Sequence, residues 1–297
     1  MSTLRAIAPW IVGLAILAGL AVRIDIAQTG AALAACDLAA YLGFSLLFIG
    51  AWLAIDTLAL AALLPDTGRQ VSFLALARVR AATYPVMAIN FHLASVALLA
   101  GLASQLGTST RRVAGTVLVY YVVDLVALCA LALAGSAVLN FDAPAFRIVA
   151  VGLAATSIVA LIALRRSGRR FEIFRAASEI PARRLLSGLL LRALLHASFA
   201  VFVVLGAGTF GIEIPLAEAA ARTPIVLAVG ALPIAAGGIG TSQAALVFFF
   251  APYAPEAKLL AFGLAYTFTL LVLRVPIGGI ALGLEHFSTR RLEENRV

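Results

Sequence analysis

The sequence contains few charged residues, only two cysteines and no long polar segment. Charged residues occupy 12% of its 297 positions and apolar residues 63%, whereas soluble domains are about 25% charged and about 45–50% apolar. Such a chain cannot cover a soluble domain with polar side chains, and it is too apolar to be intrinsically disordered. Two cysteines also exclude a disulfide-stapled secreted fold. The composition therefore predicts a polytopic membrane protein.

Motifs for catalysis and metal binding are missing as well. The sequence has no Ser/His/Asp or Cys/His triad, no phosphate-binding loop and no carboxylate cluster with metal-ligand spacing. We therefore expect no enzymatic activity, no cofactor and no metal site. The net charge of +8 does not indicate nucleic-acid binding, because the basic residues lie in short segments between apolar stretches, where they set membrane orientation.

Eight long apolar stretches predict the fold class. A transmembrane helix requires roughly 20 largely apolar residues. The alternation typical of strands is absent, and a composition rich in Ala, Leu, Val and Gly suits helices that pack through small residues. We therefore expect an all-α protein. The stretches are Ala6–Val22, Leu38–Leu64, Val71–Ala103, Val113–Leu139, Phe146–Leu164, Leu185–Phe210, Ala217–Phe250 and Leu259–Leu284.

The distribution of basic residues predicts the topology. Segment 165–184 carries seven arginines and two glutamates, so we expect it to be a cytoplasmic loop. If all eight stretches crossed once, 11 Lys and Arg residues would lie inside and 9 outside. If 71–103 and 217–250 each enter and return on the same side, the counts become 16 and 4, with Arg78 and Arg80 among the inside charges. The second count predicts six crossings, two re-entrant helical hairpins and cytoplasmic N- and C-termini.

Both re-entrant stretches contain residues that continue a helix poorly. The first has Pro85 and then Asn90, and the second has Pro233 followed by the glycines of 237–240. Irregular backbone at membrane depth needs protein or a water-filled cavity around it. The two breaks are therefore expected to face each other or a shared cavity.

The predicted crossings also suggest an internal symmetry. Residues 1–297 would form a single integral membrane domain in which 38–139 and 185–284 are inverted-topology repeats, joined through the basic loop 165–184. Many secondary transporters use this arrangement to place a binding site near the membrane midplane. The alternative is that eight segments divide into similar halves by chance.

The glycine-rich part of the second hairpin is a candidate ligand site. Gly237, Gly238 and Gly240 permit backbone conformations and close approaches that other residues do not. A helix restarting near Thr241 and Gln243 would direct its N–H groups and positive dipole end into the membrane interior, where a lipid phosphate could bind. The alternative is close packing of small residues.

Several charged residues lie within apolar stretches. Intramembrane charges are costly and usually pair inside the bundle, so Asp124 is expected to pair with Arg274 or with Arg192. Such a pair would either fix the helix register or take part in transport. Arg192 and His196 share a helix face and either form a phosphate-binding patch or extend to the interface. Asp56 is expected at the interface.

Segment 231–247, ALPIAAGGIGTSQAALV, is similar to a known signature. It resembles the LPIS-x-GGLG-x-x-E-A-A pattern of the flippase-like family related to the membrane domain of lysylphosphatidylglycerol synthase. The similarity extends to the order of spans and to Asn90, Asp124 and Arg274. Two features differ: the acidic residue after the glycines is Gln243 here, and the Pro-x-Arg-x-Gly-Glu pattern of the first hairpin is missing.

The resemblance implies a protein of the bacterial inner membrane that translocates or binds lipids. The headgroup of an anionic phospholipid or polyisoprenoid-type lipid would be held between Asn90 and a turn formed by Pro233 and residues 237–243. Asp124, Arg192 and Arg274 would form an intramembrane charge network. The alternative is a non-transporting membrane partner or scaffold of a lipid-modifying enzyme.

Overall fold

The computed structural model describes residues 3–64, 71–89, 91–139, 144–168, 171, 174–230 and 239–294. Within these ranges the regular structure is entirely helical, which confirms the predicted all-α class. The helices are α1 Thr3–Arg23, α2 Ile26–Ala34, α3 Leu38–Leu63, α4 Phe73–Ile89, α5 Phe91–Leu106, α6 Thr110–Val138, α7 Pro144–Ser167, α8 Arg175–Glu179, α9 Ala182–Gly208, α10 Leu216–Gly230, α11 Thr241–Phe250 and α12 Glu256–Glu294.

Five of the described helices are long and apolar enough to cross a membrane. They are Leu38–Leu63, Thr110–Val138, Ile148–Ser167, Ala182–Gly208 and Glu256–Gly283. The apolar part of α1 passes the same test only together with α2, and the two helices meet at a bend of 95°. The described helices therefore provide five candidate spans, or six if the bent pair is one span. This confirms a polytopic membrane protein.

The bend between α1 and α2 was not expected from the sequence. Asp25 begins α2, because its carboxylate accepts hydrogen bonds from the backbone N–H groups of Ala27 at 2.8 Å and Gln28 at 3.1 Å. A side chain that binds free N–H groups at a helix start stabilises a new helix at that point. The segment after the first apolar stretch is therefore a short second helix.

Helices α4 and α5 form the first hairpin and pack against each other. They contain 17 and 16 residues, so at about 1.5 Å per residue each is roughly 25 Å long, shorter than a bilayer core of roughly 30 Å. The predicted break at Pro85 is wrong, because α4 continues through this residue to Ile89. The predicted break at Asn90 lies outside the described residues.

Close packing on α12 explains how α4 accommodates its proline. Pro85 has no N–H group, so it cannot donate to the carbonyl of Ala81 one turn earlier. Gly278 of α12 approaches this region so closely that an added Cβ atom would lie 2.7 Å from that carbonyl oxygen and would overlap Cδ of Pro85. The missing side chain at Gly278 therefore lets α12 cover the irregular turn of α4.

Helices α10 and α11 form the second hairpin. Arg222 of α10 donates to the carbonyl of Phe249 near the end of α11 at 2.9 Å. At the other end, a Cβ atom on Gly230 would overlap the hydroxyl of Ser242. The helices contain 15 and 10 residues, so at about 1.5 Å per residue they are roughly 22 and 15 Å long and too short to cross alone.

The chain divides into two compact units, each of which contains one hairpin. Unit 1 comprises 1–48, 128–154 and 196–270, and unit 2 comprises 49–127, 155–195 and 271–297. Unit 1 has an aromatic core that includes a stacked pair, Phe48 and Phe202, with ring centroids 4.5 Å apart. The core of unit 2 is mainly aliphatic. Each unit draws on both halves of the sequence, and the inverted repeat stays a prediction.

Two arginines of the basic segment 165–184 donate hydrogen bonds to backbone carbonyl groups in unit 2. Arg184 donates from Nε to the carbonyl of Ala62 at 2.8 Å and from Nη2 to that of Leu64 at 2.6 Å. It thereby satisfies carbonyl groups that are left free at the end of α3. Arg165 donates to the carbonyl of Ile180 at 2.8 Å. These arginines therefore stabilise the fold, whatever they contribute to orientation.

Candidate functional site

Asp56 lies at the centre of a buried group of charged residues in unit 2. Its side chain is fully buried and pairs with the guanidinium groups of Arg80, through Nε, and of Arg192 at 2.7 Å. The hydroxyl of Tyr120 donates to the same carboxylate at 2.7 Å. The expectation that Asp56 is interfacial was therefore wrong: two cations and a hydroxyl replace the water that this carboxylate would otherwise need.

Arg80 is part of the buried group and not of a loop. Only 7% of the residue is exposed, and Nη1 donates to the hydroxyl of Thr83 at 2.9 Å, while Nε contacts Asp56. Arg80, which the topology count places among the inside charges, is therefore a buried residue of α4. Because α4 carries this residue one turn before Tyr84, the first hairpin contributes directly to the buried group.

Arg192 of α9 joins two carboxylates. Its Nη1 lies 2.7 Å from Asp56 and 3.3 Å from Asp124 of α6, and its guanidinium carbon lies 3.9 Å from the ring centroid of Tyr120. This confirms the pairing of Asp124 with Arg192. The alternative that Arg192 extends to the membrane interface was wrong, because its side chain is only 4% exposed. The side chain of Asp124 is 32% exposed. His196, one turn further along α9, is also buried.

Arg274 of α12 is held against aromatic rings. Its guanidinium carbon lies 5.4 Å from the ring centroids of both Trp52 and Tyr84. The guanidinium of Arg80 lies 5.8 Å from the ring of Tyr84. Cations over aromatic faces are stabilised by the ring quadrupole, most strongly where water is excluded. Tyr84 therefore connects Arg274, which is partly exposed, to the buried group.

We call this group the charge cluster, and its composition determines its electrostatics. Three arginines and two aspartates give a net charge of 3 − 2 = +1. Charges in a membrane interior are costly unless they are paired or bind something of opposite sign. The charge cluster is therefore a set of intramembrane charges in which Asp56 and Asp124 pair with arginines. Its members are Asp56, Arg80, Asp124, Arg192 and Arg274, with the rings of Trp52, Tyr84 and Tyr120.

The glycine turn of the second hairpin lies in unit 1, and its described part is engaged within the protein. Gly240 has a φ of +86°, a left-handed conformation that favours glycine. A Cβ atom there would lie 3.1 Å from Cβ of Ile16 and would overlap the carbonyl of Gly13. The start of α11 therefore packs against α1, and Thr241 beside it is buried.

The side-chain amide of Gln243 stabilises the start of α11 through hydrogen bonds of both its oxygen and its nitrogen. Its Oε1 accepts a hydrogen bond from the backbone N–H of Gly240 at 2.6 Å, and its Nε2 donates to the hydroxyl of Thr267 at 2.7 Å. It also reaches the carbonyl of Gly263 at 3.4 Å. The carbonyl oxygen of the glutamine thus provides the helix-capping acceptor that an acidic residue would provide.

The remaining predicted site residues cannot be placed. Asn90, Pro233, Gly237 and Gly238 lie outside the described residues, so a headgroup site at the two breaks stays a prediction. Sequence reasoning had missed the contribution of Tyr120. The sequence did contain a signal that Asp56 is paired within the protein. An acidic residue inside a 26-residue apolar helix is costly unless it is paired.

Comparison with known proteins identifies the family to which the chain belongs. A family model described as "Lysylphosphatidylglycerol synthase TM region" matches residues 10–278. The chain belongs to this family. No curated protein matches it significantly. The lysylphosphatidylglycerol synthase TM region family places the chain among membrane proteins of lipid metabolism or translocation, and the match includes every residue of the charge cluster.

Proposed function

We propose that the protein binds a membrane lipid by its headgroup and transfers it between the two leaflets, as a flippase-like transporter. The observation that carries this proposal is the charge cluster, in which Asp56, Arg80 and Arg192 are buried inside apolar helices, together with the partly exposed Asp124 and Arg274. Arginine binds phosphate oxygens well because its planar N–H groups match their geometry. The family, which is one of lipid metabolism or translocation, supports the same class of ligand.

The proposed path keeps the acyl chains in the bilayer while the headgroup passes through polar protein surroundings. The partly exposed carboxylate of Asp124, next to the buried Arg192, is the point of the charge cluster from which we propose that a headgroup enters. The two short hairpins support a transporter, since paired helices that end within the membrane surround the binding sites of many secondary transporters. The proposal includes no chemical reaction and no cofactor. It places the protein in a bacterial cytoplasmic membrane.

Reconstituted vesicles test the proposal. The purified chain is placed in liposomes that contain lipids with a fluorescent headgroup, and dithionite added outside destroys the fluorescence of the outer leaflet. We expect the protein to expose inner-leaflet lipid faster than empty vesicles do, and Asp124→Asn to change this rate. Glu218→Gln, which alters a more exposed ion pair with Arg222, is the matched control and should leave the rate unchanged.

The proposal would be overturned if vesicles containing the wild-type chain exposed inner-leaflet lipid no faster than empty vesicles. This result would have to hold for anionic, zwitterionic and polyisoprenyl lipids, both with and without proton or sodium gradients. Transfer would then be excluded for this chain.

A scaffold for a lipid-modifying enzyme is the second candidate, and α7 favours it. Only 17% of the Ile148–Ser167 window is buried, against 33–44% in the other four long spans. Its apolar face includes exposed Val151, Val159 and Ile162, and a partner helix could pack against it as well as lipid. A scaffold would show no transfer in the vesicle assay, and would require α7 for the activity of its partner enzyme.

A further inference from the structure

Each hairpin is hydrogen-bonded to the long helix that follows it. The hydroxyl groups of Ser95 on α5 and Tyr121 on α6 form a hydrogen bond of 3.0 Å. In the second hairpin, the side-chain amide of Gln243 on α11 donates to the hydroxyl of Thr267 on α12 at 2.7 Å. Tyr121 and Thr267 each lie 11 positions after the first residue of their helix (121 − 110 and 267 − 256). The two hairpins are therefore joined to the following helices at corresponding places.

Each of these long helices also packs, through a glycine, on the first helix of the other hairpin. A Cβ atom on Gly278 of α12 would overlap Cδ of Pro85 in α4 and would lie 2.7 Å from the carbonyl oxygen of Ala81. A Cβ atom on Gly135 of α6 would overlap the carbonyl oxygen of Ala221 in α10 and would lie 3.2 Å from its Cα atom. Small residues let two helix backbones approach this closely. Helix α12 therefore packs on the first hairpin, and α6 packs on the second.

Both glycine contacts lie on the helical turn that precedes a proline. Pro85 of α4 follows Ala81 by four positions (85 − 81), and Pro224 of α10 follows Ala221 by three (224 − 221). A proline inside a helix cannot donate to the carbonyl four positions earlier, so the helix bends most easily at that turn. In both hairpins, the first helix is therefore contacted at its most easily bent turn by a helix from the other half of the sequence.

These four contacts divide the six helices into two sets. The first set joins α5, α6 and α10, through the Ser95–Tyr121 hydrogen bond and the packing of Gly135 on α10. The second set joins α4, α11 and α12, through the Gln243–Thr267 hydrogen bond and the packing of Gly278 on α4. Each hairpin thus has one helix in each set. A movement of one set against the other would separate α4 from α5 and α10 from α11 at the same time.

The division into two sets assigns a conformational role to α6 and α12. Packed helices shift between discrete arrangements because their interfaces do not deform continuously. We infer that α6 and α12 couple the two hairpins, so that opening of one hairpin favours opening of the other. The contacts that carry the inference are reciprocal, because exchanging α4–α6 with α10–α12 turns each glycine contact into the other. The inference goes beyond the proposed function and does not depend on it, since it concerns the hairpins whether or not lipid is transferred.

Disulfide bonds that lock one hairpin at a time test the coupling. A Cβ atom on Gly230 of α10 would lie 3.5 Å from Cβ of Ser242 in α11, and one on Gly101 of α5 would lie 3.6 Å from Cβ of Val79 in α4. Both distances suit a disulfide, in which the Cβ atoms are about 3.5–4.5 Å apart. We would combine Gly230→Cys with Ser242→Cys, and separately Val79→Cys with Gly101→Cys. Both pairs would be made in the full chain, with the two native cysteines replaced by serine.

Amide hydrogen exchange in the hairpin that is not locked measures the coupling. Locking the second hairpin should slow exchange in α4 and α5 by about fivefold or more, the lower end of typical coupling factors. Locking the first hairpin should slow exchange in α10 and α11 in the same way. Dithiothreitol should reverse both effects, so the reduced form of each variant is its matched control. Gly278→Ala, which forces α12 away from α4, should weaken the coupling, whereas Gly279→Ala, with no atom within 4 Å of its Cβ, should not.

The inference would be overturned if each disulfide slowed exchange only in the hairpin that contains it, because the hairpins would then open independently. Faster exchange in the unlocked hairpin would also overturn it, since the hairpins would then open in alternation. Equal coupling in Gly278→Ala and Gly279→Ala would contradict the role of α12. The vesicle assay separates this inference from the proposed function: coupling without lipid transfer refutes the proposed function alone, and transfer without coupling refutes the inference alone.

Discussion

Replacing Asp56 with asparagine removes one negative charge from the charge cluster and hardly alters the size of the side chain. The amide oxygen still accepts the hydrogen bond that Tyr120 makes at 2.7 Å. What disappears is the counter-charge that Arg80 and Arg192 share. Asp124 would remain as the carboxylate beside Arg192, while Arg80 would lose the carboxylate that it contacts.

The expected loss of stability in Asp56→Asn follows from the burial of Asp56, Arg80 and Arg192. Removing one partner of a buried ion pair destabilises a protein by about 3–5 kcal/mol, because the other charge stays buried and uncompensated. At roughly 2–4 °C per kcal/mol, the temperature of unfolding should fall by about 6–20 °C. The assay heats the detergent-purified chain and measures the monodisperse fraction by gel filtration.

A matched control and a second substitution make this prediction refutable. Glu218→Gln makes the same chemical change in a more exposed pair, where the cost is expected to be about 0–1 kcal/mol. Adding Arg80→Met to Asp56→Asn removes one uncompensated cation, so the double variant should be less destabilised than the sum of the single variants. If Asp56→Asn is as stable as Glu218→Gln, the reasoning about the charge cluster is wrong.

Three further predictions concern packing, capping and topology. Gly278→Ala should destabilise the protein by about 1–3 kcal/mol, because its Cβ atom would overlap α4, and thermal unfolding measures this. Gln243→Ala should cost about 1–3 kcal/mol by leaving buried polar groups without partners, while Gln243→Glu, which keeps the capping oxygen, should cost less in the same assay. Cys36 should react from outside intact cells with a membrane-impermeant maleimide, and buried Cys129 only after denaturation. Burial and then the neighbouring carboxylate raise the pKa of Cys36, so little thiolate forms near neutral pH and labelling should accelerate between about pH 7 and about pH 9.

A control variant or a contrasting result can contradict each of these three predictions. Gly279→Ala places a methyl group where no atom lies within 4 Å, and it should be neutral; equal effects at the two glycines would contradict the packing of α12 on α4. Equal losses for the two Gln243 variants would contradict the capping role. Labelling of Cys36 only after the membrane is made permeable would reverse the predicted orientation of the chain.

The spans could be predicted because their signal is local. A run of about twenty apolar residues identifies a membrane helix without knowledge of its neighbours, and the order of the long helices agrees with the apolar stretches of the sequence. The bend at α2 depends on one capping residue, Asp25. The continuity of α4 through Pro85 depends on Gly278, which lies 193 positions later in the chain (278 − 85). Contacts between distant positions are not visible in a single sequence.

The charge cluster was predictable only in part for the same reason. Asp124 and Arg192 were singled out because charges are rare inside membrane helices, and the structure pairs them. Asp56 looked interfacial because it lies near the end of an apolar stretch, and its partners Arg80, Tyr120 and Arg192 follow 24, 64 and 136 positions later. The roles of Asn90 and of the glycines at 237–238 stay predictions, since these positions lie outside the described residues.

An experimental density map tests the central claim most directly. The full chain would be placed in lipid nanodiscs rich in phosphatidylglycerol and imaged by electron cryo-microscopy. The account predicts phosphate density beside Asp124 and Arg192 of the charge cluster, with acyl-chain density continuing towards the bilayer. If every lipid phosphate lay at the membrane surface and none beside these residues, the result would contradict a headgroup site in the charge cluster.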